Sequence, residues 1–245
     1  MAHTGKELIL TPPLLLALEN SGMCGSVALT CSSFCIGEYS LQSRRTHSKR
    51  LLPTVQRLME DAGVSWQDMD GIAVSIGPGS FTGLRIGLSA AKGLATAASL
   101  PLIGISSLKS LAWQYSYVSP RICAMIDARK KEVYCALFQP EGGGVLKRLT
   151  ADMALSPEKV IEYITEPTLL IGDGVQVYQD LIKKELGTMA IIPPPHLSFP
   201  RAAALGFLAL SSWEENDFLD ISRATPVYIR PSEAEEKEVS PPFLK

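Results

Sequence analysis

The residues best suited to chemistry lie between Gly77 and Gly87, where the chain reads Gly-Pro-Gly-Ser-Phe-Thr-Gly-Leu-Arg-Ile-Gly. An apolar run, Ile72 to Ile76, precedes them, and a stretch dense in alanine, glycine and leucine follows. That order predicts strand, tight turn and helix. The first N–H groups of such a helix face the turn, and the helix dipole favours an anion there. Ser80 and Thr82 are suited to capping the helix, so Gly77, Gly79, Ser80 and Thr82 form a candidate, degenerate nucleotide loop. A dinucleotide fingerprint starting at Gly77 needs glycine at position 82, which is threonine. A P-loop needs a lysine that does not follow Gly83. A tight turn that lets a helix pack closely on a sheet accounts for the same glycines without any ligand.

No other set of residues completes a reactive constellation. The three histidines, His3, His47 and His196, are far apart in sequence, and no Ser/His/Asp or Cys/His arrangement stands out. Cys31 and Cys35 are four apart, but nothing nearby completes a zinc set. No catalytic residue, metal or cofactor is therefore expected.

Two helical stripes invite a different reading. Gly83, Gly87, Ala91 and Ala95 recur every fourth residue along one face. Each glycine inside a helix costs about 1 kcal/mol relative to alanine, so something must pack close against that face. Leu51, Val55, Leu58 and Ala62 form a second stripe, flanked by Leu52 and Met59, on a helix predicted from His47 to Ala62. Arg44, Arg45, Lys49, Arg50 and Arg57 crowd its start and its polar side. Both stripes have a core reading and an interface reading. The interface set is Leu51, Leu52, Val55, Leu58, Met59, Gly83, Gly87 and Ala91.

The chain must supply elements that hold these residues. Its 245 residues are 46% hydrophobic and 20% charged, enough for a substantial core. A net charge of −2 provides no global basic field for nucleic acid. The odd number of cysteines, mostly in apolar runs, suits reduced thiols in a cytoplasmic protein. Residues 1–12 read as an extension. Pro12-Pro13 interrupts the apolar Leu8–Leu18 stretch, which argues against a signal peptide or a membrane span.

Two halves repeat one order of elements. Leu14 to Leu18 ends at Glu19, with Ala28-Leu29 beyond it; Cys123 to Ile126 ends at Asp127, with Ala136-Leu137 at the same spacing. Each reads as a strand ending in an acid, a polar turn and a returning strand. A helix, strand and helix follow in both halves, over 47–98 and 157–186, and then a strand and helix, over 102–115 and 189–214. Alternation of this kind predicts a parallel-rich sheet covered by helices. The duplication resembles the actin-like α/β fold, with lobes at 13–118 and 119–231 and a flexible acidic tail at 232–245. In that fold the hairpin turns and glycine loops surround a phosphate between the lobes.

Several stretches together resemble one family. They are Leu16-Ala17-Leu18-Glu19-Asn20-Ser21, the Gly77–Gly87 segment, Leu102 to Leu108, Ile126-Asp127-Ala128-Arg129, and Pro226-Val227-Tyr228-Ile229-Arg230. They are similar to the TsaB (YeaZ) family, over about residues 13 to 231. The resemblance implies a non-catalytic accessory subunit for N6-threonylcarbamoyladenosine formation in tRNA. Its partners would be the metal-bearing paralogue TsaD and the ATPase TsaE, with tRNA reached mainly through the complex and a homodimer as an option for the chain alone. It also implies that the two striped helices meet the paralogue. The paralogue's histidine pair is incomplete here, since His47 is followed by Leu51 at the second position. Glu19 stands where the family usually has aspartate. The enzyme-class alternative is a small ATP-dependent kinase of the same fold.

Overall fold

A computed structural model describes residues 12–32, 34–42 and 50–230. The calls made on residues 1–11, on Arg44, Arg45, His47 and Lys49, and on the tail lie outside them.

The apolar runs become two sheets. In the first, β1 (Leu14–Glu19) pairs antiparallel with β2 (Cys24–Cys31), which pairs antiparallel with β3 (Phe34–Gln42). On its other side β1 runs parallel to β4 (Gly71–Gly77), and β4 to β5 (Leu102–Ser106), giving the order β3-β2-β1-β4-β5. The central strands are apolar on both faces because helices cover both. The second sheet contains β6 (Arg121–Arg129), β7 (Glu132–Gly142), β8 (Val145–Arg148), β10 (Thr168–Ile171) and β11 (Ala190–Ile191) in the order β11-β10-β6-β7-β8. A short β9 (Met153–Leu155) also pairs with β7.

One face of the first sheet carries α1 (Leu51–Ala62) and α2 (Phe81–Ala98). Gly63, at φ +65°, ends α1, and its N–H and that of Val64 return to the carbonyls of Glu60 and Met59. One face of the second sheet carries α4 (Pro157–Glu162), α5 (Asp173–Val177) and α6 (Gln179–Leu186).

The remaining two helices are crossed. α3 (Ser107–Trp113) buries Leu108, Leu111 and Ala112 against Ile122, Ala124 and Phe138 of the second sheet. α7 (Ala202–Glu214) buries Ala202, Leu205 and Ala209 against Leu15, Ala17, Ala73 and Ile103 of the first. The rings of Trp113 and Phe207 stack at 5.6 Å where the two helices meet. The sequence reading counts α7 with the second lobe, and the structure corrects this. The helix is apolar around most of its circumference, so the sequence marks it as buried without naming its sheet.

Three strands, β3, β8 and β9, were not expected. They lie at or near sheet edges, where half-exposed residues blur the alternation that marks a strand. The helix expected over Val175 to Leu186 is split at Tyr178 into α5 and α6.

Candidate interlobe crevice and partner face

The Gly77 turn leaves the carboxyl end of β4, where an open α/β sheet offers its ligand crevice. Gly77 has φ +114°, a conformation glycine adopts without strain. Ser80 caps α2, its Oγ accepting the Gly83 N–H at 3.2 Å, and its own N–H donates to the Ser21 carbonyl at 2.7 Å. The Ser21 carbonyl also lies against Gly79, where a Cβ would collide with it. On the far side, the Val227 carbonyl sits 2.8 Å from where a Cβ of Gly77 would be. Val227 N–H in turn donates to the Ile76 carbonyl at 2.7 Å.

A phosphate at this turn needs free N–H groups and open space. The donors of Ser80 and Gly83 are engaged, and protein backbone packs on Gly77 and Gly79 from both sides. These contacts give Gly77, Gly79 and Ser80 the geometry of a tight turn that holds a helix close to a sheet. Thr82 sits on the exposed side of the first turn of α2.

The acids that end the two hairpin strands are used locally. Glu19 is fully buried and folds back so that Oε1 accepts the Ser21 N–H at 2.7 Å. Burial pushes its carboxyl above the ordinary range, opposed by hydrogen bonds from Ser21 and Ser75. Asp127 accepts the Arg129 N–H at 2.9 Å and pairs with its guanidinium at 3.0 Å. This shapes a β6–β7 turn of three consecutive residues in the left-handed region, Arg129, Lys130 and Lys131, at φ 62°, 50° and 62°. Asp173 accepts the Asp127 N–H at 3.0 Å, and burial followed by the Asp127 charge raises its pKa.

The expected interface set divides sharply. Leu51, Val55, Leu58 and Met59 are 6% exposed or less and fill the core beneath α1. Gly83, Gly87 and Ala91 are also buried. The room beside the glycine stripe is taken by the chain's own Asn20: a Cβ on Gly83 would collide with its carbonyl, and one on Gly87 would lie 3.1 Å from its Cβ. The expectation that this stripe makes space for another molecule is corrected, because the β1–β2 turn is the close neighbour. Of the eight residues, Leu52 is the exposed one, at 48%. It opens a groove between α1 and α2 lined also by Met59, Val64, Trp66 and Leu94.

The residues that sequence reasoning left without a role are those at the end of the described chain. Pro226 to Arg230 supported the resemblance, yet the segment has no periodicity to mark it as an element. In the structure it crosses from the Gly77 turn to the second lobe. Arg85 lies over the Phe81 ring at 3.8 Å and donates to the Tyr228 hydroxyl at 2.9 Å. Arg230 donates to Glu132 at 2.6 Å and to the Ala128 carbonyl at 3.1 Å.

Among the described residues no group of three or more His, Cys, Asp or Glu could hold a metal ion. No described helix is long and apolar enough to cross a membrane.

The family described as TsaD: tRNA N6-adenosine threonylcarbamoyltransferase matches residues 40–238. The tRNA threonylcarbamoyladenosine biosynthesis protein TsaB of Bacillus subtilis (strain 168) is 32% identical over 226 residues, covering 91% of this chain and 96% of the relative. The protein of that name from Escherichia coli (strain K12) is 34% identical over 222 residues, covering 88% and 94%. The solved structure of YeaZ from Pseudomonas aeruginosa superposes with a TM-score of 0.77 at 32% identity, covering 88% of this chain and 99% of that one. The two sheets with their helices are the duplicated lobes of the actin-like α/β fold. With sequence likeness and fold agreeing along nine-tenths of its length, the chain belongs to the TsaB (YeaZ) family.

Proposed function

We propose that the protein is a non-catalytic accessory subunit for N6-threonylcarbamoylation of the adenosine next to the anticodon in tRNAs reading codons that begin with A. The observation that carries this reading is the near-full-length likeness to TsaB proteins of two bacteria. It acts in the cytoplasm by docking on the metal-bearing paralogue TsaD, and the ATPase TsaE joins the pair. The tRNA is held mainly by the complex.

The docking face is the outer side of α1 and α2, around Leu52 and Leu94, on the lobe of residues 13–118. The groove there lies on the surface, and its apolar residues stand beside Gln56, Glu60, Ser65 and Gln67, a mixed lining that suits an amphipathic partner helix. At the turn that would serve a kinase, backbone carbonyls of Val227 and Ser21 pack on Gly77 and Gly79, which lends the kinase alternative no support.

The test is reconstitution. Purified protein is mixed with TsaD, TsaE, unmodified tRNA, threonine, bicarbonate, ATP and the enzyme forming threonylcarbamoyl-adenylate, and nucleosides are read by mass spectrometry. The expected result is modified adenosine only when this protein is present, and co-elution with TsaD on a sizing column. Equal modification without it would overturn the reading.

A further inference from the structure

We propose that residues Thr225–Arg230 act as a built-in ligand: they occupy the crevice between the lobes and brace the lobes against each other, as a bound small molecule would. Ligands of α/β sheets bind outside the carboxyl ends of the strands, where neighbouring elements diverge. Ile76 and Gly77 end β4 in the first lobe, and Ala128 and Arg129 end β6 in the second. The segment runs between those ends.

Its contacts fall into two groups. Toward the first lobe, Val227 N–H donates to Ile76, the Val227 carbonyl covers Gly77, and Tyr228 rests on Phe81 and Arg85 with ring centroids 5.3 Å apart. Just before it, Lys92 holds the Ala224 carbonyl at 3.1 Å, and Ala224 packs against the core of that lobe. Toward the second lobe, Arg230 grips Glu132 and Ala128. Arg230 and Glu132 are about three-quarters and two-thirds buried, so their charge-assisted bond is shielded from bulk water. A backbone strap that reaches both lobes carries two halves of a clamp on one short chain, and an intramolecular ligand binds at high effective concentration.

Hydrogen exchange on the full-length protein tests this, because exchange reports local opening segment by segment. Two variants are compared with the parent: Arg230→Ala, and Glu132→Gln, which keeps Arg230 and removes the charge it grips. The expected result is at least about tenfold faster exchange in both 76–84 and 126–133, with α1 and α7 unchanged. Mg-ATP, added as a probe at millimolar concentration, is expected to leave exchange of the parent unaltered in both segments. Faster exchange confined to residues beside position 230, or protection of 76–84 in the parent by Mg-ATP, would overturn the proposal. Acceleration across the whole chain in Arg230→Ala signals unfolding, and Glu132→Gln then decides between the same two outcomes.

Discussion

Asn20 donates its side-chain amide to the Gly83 carbonyl at 2.8 Å, joining the β1–β2 turn to α2 across 63 residues of sequence. Its own N–H is held by Ser75 Oγ at 3.3 Å, on the neighbouring strand. Asn20 is buried and lies where the glycine face of α2 needs a close neighbour. Strand, turn and helix are thus fastened at one residue.

Gly83→Ala is expected to destabilise the fold by about 3 kcal/mol, the upper end of overpacking costs, since its Cβ meets the Asn20 carbonyl, which is fixed backbone. The helix-propensity gain of about 1 kcal/mol is too small to offset this. Urea denaturation checks it, and a variant as stable as the parent would show that the turn yields. Gly93→Ala, with open space around its Cβ, is the control and is expected to stabilise.

Leu52→Asp and Leu58→Ala should separate binding from folding. Leu58 is 3% exposed, and truncating it is expected to cost about 2–4 kcal/mol. Leu52 is exposed, and an acid in the first turn of α1 suits the helix dipole, so its cost is under about 1 kcal/mol. Loss of TsaD binding, measured by calorimetry, is expected at least tenfold for Leu52→Asp, with the melting temperature nearly unchanged.

Glu19 makes stability depend on pH. Burial raises its folded pKa above the unfolded value, so its proton stabilises the fold fully below the ordinary carboxylate range. That contribution is lost as pH rises through the folded pKa. Glu19→Gln keeps an acceptor for the Ser21 N–H and cannot ionise. Its stability relative to the parent is therefore expected to increase between pH 4 and pH 8. A constant difference in urea midpoint across that range would contradict this.

The cysteines should sort by access to water. Burial pushes the Cys123 thiol well above its usual value and the Cys135 thiol to about 12. Cys35 is exposed on the edge strand, though desolvation and then the Glu38 charge also raise it. Brief iodoacetamide treatment at pH 8 is expected to label Cys35 in the native protein, and Cys123 and Cys135 only after unfolding, as read by peptide mass spectrometry.

Much of the frame was legible because apolar runs and turn glycines act locally. The hairpins ending at Glu19 and Asp127, the Gly77 turn and the helix it starts could be placed from neighbouring residues. What faces a stripe could not. Periodicity shows that Gly83, Gly87 and Ala91 share a face, but Asn20 comes from another part of the chain. The same limit left Leu52 undistinguished within the interface set, although its neighbours Leu51 and Val55 turn inward while it faces out. The path of Pro226–Arg230 was illegible for a second reason: its bonds are made to backbone and to single side chains, which leave no repeating pattern.

The crossing of α3 and α7 carries a consequence for synthesis on the ribosome. The strands of the first sheet are complete once Ser106 has been made, yet one face stays uncovered until Ala202 to Glu214 leave the exit tunnel. During that interval Leu15, Ala73 and Ile103 lack their cover, while α3 waits for a sheet not yet translated. The nascent chain therefore carries an open hydrophobic face while residues 107–201 are being made, a natural landing place for a chaperone, and the halves finish folding together.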